Sequence, residues 1–201
     1  MNLGKRKGYT VSGQKVRLVF EQGEAEIWAV TPEIINVFCG LESGEHNSKA
    51  IEGEKEQTVK LTVEEKEDGL WIGTGAVCVR VSDGFYVDFY DRKGNAVCLD
   101  YRGERQPLQV VSDEMLKILA SEGHKADRGM DHAFDVLKQL QGDEHFYGLG
   151  DKTGFLDKRG YDYEMWNTDN PDPQVDSFKA LYKSIPFFMA LTDSHVYGIF
   201  A

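Results

Sequence analysis

Between residues 76 and 90 the chain reads Ala-Val-Cys-Val-Arg-Val, then Ser-Asp-Gly, then Phe-Tyr-Val-Asp-Phe-Tyr. Side chains alternate across a strand, so Val77, Val79 and Val81 share one face and Phe85, Val87 and Phe89 share another. The Ser82-Asp83-Gly84 turn lets each strand bury one side. Asp91-Arg92-Lys93-Gly94-Asn95 then turns into a further run from Ala96 to Asp100, which makes a β-meander. Comparable runs occupy Lys15 to Phe20, Glu24 to Val30, Ile34 to Phe38, Thr58 to Glu64 and Leu70 to Ile72, with glycine and charge between them. The pattern predicts a sheet protein rather than a helical bundle.

Three stretches depart from it. Residues 41–57 are charged, contain glycine and have few apolar residues, so a surface loop is expected. Ser112-Asp113-Glu114, followed by Met115, Leu116, Ile118, Leu119 and then Gly123, combines an N-cap, an apolar stripe and a glycine stop. A short helix is expected there. Residues 133–140 fit either element, and a strand is favoured for the first half because Phe146-Tyr147-Gly148 resumes sheet character. His195 to Ala201 alternates as a strand, and ending on such a strand suggests that the natural sequence continues.

At 201 residues there is room for one all-β domain with a single core. Lys and Arg number 23 against 34 Asp and Glu, a formal charge of −11 that repels phosphate backbones and anionic lipid. Nucleic acid and membrane surfaces are therefore poor partners. Neither a signal-like apolar run nor a bilayer-length stretch is visible, so the chain reads as soluble and cytoplasmic. Cys39, Cys78 and Cys98 lack metal-ligand spacing and read as reduced core residues, and no cofactor or metal is expected. The five histidines lack a partner constellation that would mark a catalytic triad.

The chemistry concentrates between Phe146 and Phe187. Tyr147-Gly148-Leu149-Gly150-Asp151 and Lys158-Arg159-Gly160 precede Trp166-Asn167-Thr168-Asp169, and the run closes on Leu181-Tyr182-Lys183-Ser184-Ile185-Pro186-Phe187. An indole beside an amide and a carboxylate suits a pyranose, giving a flat apolar surface for its C–H face and acceptors for its hydroxyls. Gly148, Gly150 and Gly154 differ in spacing from a dinucleotide fingerprint; their expected role is to let backbone turn tightly or approach a neighbour. Each site residue also has a plain alternative. Asp169 could open an Asx-turn into Asn170-Pro171-Asp172-Pro173, Trp166 could be a core or interface aromatic, and Asn167 and Thr168 could shape the loop.

The order and spacing of these pieces closely resemble the end of the N-terminal β-sandwich domain of family 31 glycoside hydrolases, the α-glucosidase family. The resemblance is specific from Phe146 to about Phe200. It is softer from Gly69 to Leu99, around Phe-x-Val-x-Phe-Tyr-Asp-x-x-Gly, and from residues 1–68 only the β character agrees. It implies a mainly β fold, an antiparallel sandwich of the galactose mutarotase-like type with one or two short helices. Residues 1–201 would form a single N-terminal domain, with a catalytic (β/α)8 barrel after residue 201.

The resemblance also implies retaining hydrolysis of α-linked glucosides by two carboxylates that belong to the barrel, so no catalytic residue is expected in this chain. Asp169 is expected to contact substrate, with Trp166 and Asn167 beside it. Lys158 and Arg159, otherwise ordinary solvated charges, are expected to meet carboxylates on the adjoining domain. The partners implied are an α-glucoside or oligosaccharide and the chain's own barrel. Two other readings stay open: a stand-alone carbohydrate-binding module, and an aldose 1-epimerase, which would need a His and a Glu acting on a free sugar.

Overall fold

The computed structural model describes residues 2–40, 58–104, 117, 118, 121, 135–169 and 179–201. The chain divides into two compact units, Met1–Gln139 and Leu140–Ala201.

The first unit holds two antiparallel meanders. One is a four-stranded sheet of β1 (Arg6–Ser12), β2 (Lys15–Phe20), β3 (Glu24–Ala29) and β4 (Ile35–Gly40). The other has five strands: β5 (Thr62–Lys66), β6 (Gly69–Gly73), β7 (Val77–Ser82), β8 (Tyr86–Asp91) and β9 (Ala96–Cys98). Alternation decides what is buried. Val16 and Leu18 of β2 oppose Ile27 and Ala25 of β3, Phe20 is buried on the same face, and Leu70 and Ile72 of β6 oppose Val81 and Val79 of β7. These inner faces merge with Leu3 and Val87 into one buried cluster, so the sheets form a sandwich. Each such aliphatic side chain contributes about 1.5–3 kcal/mol when fully buried.

The β7–β8 hairpin forms with Val79 opposite Phe89 and Val81 opposite Val87. Its turn includes Phe85 as well as Gly84, and Phe85 takes a positive φ of 61°. A bulky residue adopts that conformation only when something holds it. Here its ring meets Phe20 edge-on at 5.6 Å, against the core. Asp91 organises the next turn by accepting from Lys93 N and Asn95 N, both at 2.8 Å.

Asp88 of β8 is fully buried although charged. It accepts from Arg80 (Nη2, 2.8 Å), Arg102 (Nη2, 2.6 Å) and Asp100 N (2.9 Å). Lys138 extends the network by binding Asp100 at 2.5 Å.

The strand favoured for residues 133–136 is not seen at its described members, Asp135 and Val136. A bridge forms later, at Lys138 opposite Asp100, where Tyr101 N donates to Leu137 O at 2.9 Å and Gln139 N to Leu99 O at 2.8 Å, and the Lys138 ammonium also pairs with the Asp100 carboxylate. The expected helix lies mostly outside the described residues, though Lys117, Ile118 and Ser121 are helical. The expected loop at 41–57 lies wholly outside them.

The second unit is a three-stranded antiparallel sheet in the order β10 (His145–Gly150), β11 (Ser184–Leu191), β12 (Val196–Phe200). A long excursion between β10 and β11 carries the candidate site.

Candidate functional site

The excursion starts from a bulge. Gly148, Leu149 and Gly150 have φ values of 130°, 71° and 81°, and the β10–β11 register shifts across them. A Cβ on Gly148 would stand 2.6 Å from Phe187 O, and one on Gly150 would strike Lys183 O. The glycines therefore act as read from the sequence, permitting close backbone approach. Asp151 N then donates to Lys183 O at 2.8 Å, which fixes the direction in which the loop leaves the sheet.

The first half of the loop folds back on β10. Asp157 accepts from His145 Nδ1 (2.6 Å), Phe146 N (3.0 Å) and Arg159 N (3.1 Å). The His145 hydrogen bond, followed by the two backbone donors, holds its carboxyl down at about 2.

Lys158 and Arg159 were expected to meet carboxylates of another domain, but their donors go to backbone carbonyls within this unit. Arg159 donates to Gly142 O and Glu144 O, both at 2.8 Å, and to Gln141 O at 3.2 Å. Lys158 Nζ donates to Thr153 O (3.0 Å) and Phe155 O (2.7 Å). A guanidinium fork suits three carbonyls converging on one turn, and the turn's orphan acceptors are satisfied in return. Glu144, which nothing in its sequence context marks, is buried and accepts from Tyr197 OH at 2.5 Å and from Gln141 N at 3.1 Å.

The second half rises as an arm whose two sides pair irregularly. Glu164 N donates to Lys179 O and Thr168 N to Leu181 O, each at 3.0 Å. Asn167 Oδ1 accepts from Ser184 N at 2.8 Å, and Ser184 Oγ donates to Trp166 O at 2.9 Å. Lys152 Nζ reaches in from the base, donating to Glu164 O at 2.7 Å and Ser184 Oγ at 3.1 Å. The stacked rings of Tyr161 and Tyr163, 5.7 Å apart, stand beside it.

The three sequence candidates lie together on this arm in different settings. Trp166 is 69% exposed while its carbonyl is tied down, leaving the indole face open. Asn167 spends its Oδ1 on the arm itself, which is the loop-shaping role. Asp169 is exposed and hydrogen-bonds to the Tyr182 phenol. That bond first, and desolvation second, push the phenol's pKa up. The Asx-turn alternative for Asp169 involves residues 170–173, outside the described residues. Tyr182 itself is 53% exposed.

The arrangement can present one carboxylate and one aromatic face to a polar ligand. Among the described residues, no three His, Cys, Asp or Glu side chains converge as a metal ion would require.

Over residues 24–201 the sequence matches the family described as the glycosyl hydrolase 31 N-terminal galactose mutarotase-like domain. It is 38% identical over 102 residues to alpha-glucosidase 2 of Bacillus thermoamyloliquefaciens, covering 48% of this chain and 13% of that enzyme. The fold matches the family 31 dextranase of Flavobacterium johnsoniae, solved with isomaltotriose, at a TM-score of 0.71 and 27% identity, covering 94% of this chain and 21% of the dextranase. It also matches a family 31 α-xylosidase from a soil metagenome, at a TM-score of 0.62 and 20% identity, covering 92% of this chain and 26% of that one. The chain thus spans a small part of each relative's length. It belongs to the N-terminal galactose mutarotase-like domain family of glycosyl hydrolase 31.

Proposed function

We propose that this chain is the N-terminal domain of a retaining α-glucosidase-like hydrolase, in which it scaffolds a catalytic barrel following residue 201 and lends that barrel a substrate-binding arm. In this reading Asp169 accepts hydrogen bonds from a sugar hydroxyl, Trp166 offers its face to the ring, and Asn167 shapes the arm beneath them. The observation that carries it is the exposure of both Asp169 and the Trp166 indole on an arm tied down through Lys152, Asn167 and Ser184. Such a device holds polar groups out toward a ligand rather than into its own core. The similarity to an α-glucosidase and to a dextranase supports α-linked oligosaccharides as the substrate class.

The reacting carboxylates belong to the barrel in this reading. A charge-assisted hydrogen bond such as Asp169 could make is worth roughly 1.5–3 kcal/mol, whereas enzymes lower barriers by about 8–23 kcal/mol. Asp169 therefore tunes binding and cannot supply turnover. In the full-length enzyme, Asp169→Ala is expected to lower kcat/KM on maltose-type substrates about 10- to 100-fold. Unchanged kinetics would return Asp169 to a turn residue. The 201-residue chain alone is expected to leave a nitrophenyl α-glucoside intact, and hydrolysis by the pure chain would refute the division of labour.

A further inference from the structure

We propose that Lys152 is the positioning residue of the arm: its ammonium clasps the rising side at Glu164 to the returning side at Ser184, and so sets where Asp169 stands over the substrate. The proposal rests on the reading of Asp169 given above.

The clasp is built from both ends. Lys152 stands one residue beyond the glycine bulge, after Asp151, and the Asp151 N to Lys183 O bond fixes where its side chain starts. Its Nζ donates to the Glu164 carbonyl at 2.7 Å and to Ser184 Oγ at 3.1 Å. The same hydroxyl passes its own proton to Trp166 O at 2.9 Å, and Ser184 N donates to Asn167 Oδ1 at 2.8 Å. One cation thereby gathers residues 164, 166, 167 and 184, the first three of which lead up to Asp169 along the chain. The ammonium also lies 5.9 Å from the centre of the Tyr163 ring.

A lysine usually keeps its charge in water and lays only its stem on the protein. Lys152 instead is half-buried, and desolvation pushes its pKa down even though Asp151 and Glu164 oppose the shift. Its acceptors are a main-chain carbonyl and a hydroxyl of the arm, none of them in the buried core of either unit. Water can replace the ammonium at both acceptors, so losing it loosens the arm more than it destabilises the fold. Displacing a binding group by about 1 Å can cost as much as 100-fold in rate. The arm's position is therefore where a change at Lys152 registers.

The test uses the full-length enzyme with Lys152→Met, Lys152→Arg, Asp169→Ala and the Lys152→Met/Asp169→Ala double variant. Each is assayed for kcat/KM on maltose and for Tm. Lys152→Met is expected to lower kcat/KM about tenfold with Tm nearly unchanged. Lys152→Arg, which can still donate to both acceptors, restores most of the loss. In the Asp169→Ala background, Lys152→Met adds less than about a twofold change, because the group it positions is gone. Equal losses in both backgrounds, or no loss in the single variant, overturn the role of Lys152 while leaving that of Asp169 intact. Unchanged kinetics in Asp169→Ala overturn the substrate-arm reading and this proposal with it. If Lys152→Met does not accumulate as folded protein, Lys152→Gln, which retains one donor group, carries the same comparison.

Discussion

The Tyr182 phenol hydrogen-bonds to the Asp169 carboxylate, joining the two sides of the arm next to the backbone bond from Thr168 to Leu181. A phenol can engage one carboxylate oxygen and leave the other to accept from a ligand. Tyr182→Phe removes the donor while keeping the ring. Because both groups are exposed, water competes for the bond, and the expected loss in kcat/KM of the full-length enzyme is modest, about two- to tenfold. No further loss is expected when Asp169 is already Ala. An additional loss there would show that Tyr182 acts on something other than Asp169.

Gly150 and Gly160 have the same φ, 81°, but different surroundings. A Cβ on Gly150 would collide with the backbone of Lys183, whereas one on Gly160 meets nothing within 4 Å. Gly160→Ala is expected to cost only the backbone strain, about 1 kcal/mol. Gly150→Ala adds overpacking against the backbone that leads into β11, for a total of about 2–4 kcal/mol. Urea denaturation of the two variants decides the matter. Equal costs would mean that the backbone at Lys183 gives way.

Asp157 provides a pH signature. Its folded carboxyl lies at about 2, below the ~3.9 of an unfolded aspartate, chiefly through the bond from His145. A depressed folded value favours the native state at pH above the unfolded value, and that contribution is lost as pH falls through about 2. Asp157→Asn is therefore expected to have a lower denaturation midpoint than the native chain between about pH 5 and 7. The gap closes as the pH is taken from about 4 toward 2. A constant gap across that range would assign the effect to shape rather than to charge.

The strands that announce themselves are those whose burial follows from their own alternation. β2 falls on Lys15–Phe20 as read, because Val16, Leu18 and Phe20 all point inward. β1 leaves no such mark, because Arg6–Ser12 is an edge strand, mostly exposed, whose alternating pair Tyr9 and Val11 also stays in solvent. Within the site, Trp166, Asn167 and Asp169 stand out by residue type, and the glycine bulge by the geometry only glycine allows. The partners of Lys158, Arg159 and Lys152 do not stand out, since carbonyl acceptors leave no mark in a sequence and the pairing of residue 164 with residue 179 spans a loop. Asp88 is the clearest such case. In Phe-Tyr-Val-Asp-Phe-Tyr it reads as the polar side of an alternating strand, yet Arg80 across the hairpin and Arg102 beyond the next turn enclose it.

That enclosure makes Asp88 the most sensitive charged position in the described part of the first unit. Burial alone would push its carboxyl up, but the bonds from Arg102 and Arg80 and from Asp100 N outweigh it and leave the carboxyl below the usual carboxylate range. Asp88→Asn keeps the shape but turns an NH2 toward a site where every neighbour donates. Breaking a buried pair costs about 3–5 kcal/mol. Arg80 and Arg102 retain 22% and 38% side-chain exposure and can recover some hydration, which lowers the expected cost to about 2–4 kcal/mol. By the same sign argument as for Asp157, the native carboxylate's contribution is present above the unfolded value of ~3.9 and fades on acidification, so the penalty of the variant shrinks toward acid pH. Urea midpoints of the native chain and of Asp88→Asn at neutral and acid pH measure both effects. A neutral-pH cost below about 1 kcal/mol would mean that the two guanidiniums find water as good a partner as Asp88, and that the apolar cluster alone holds the sandwich closed.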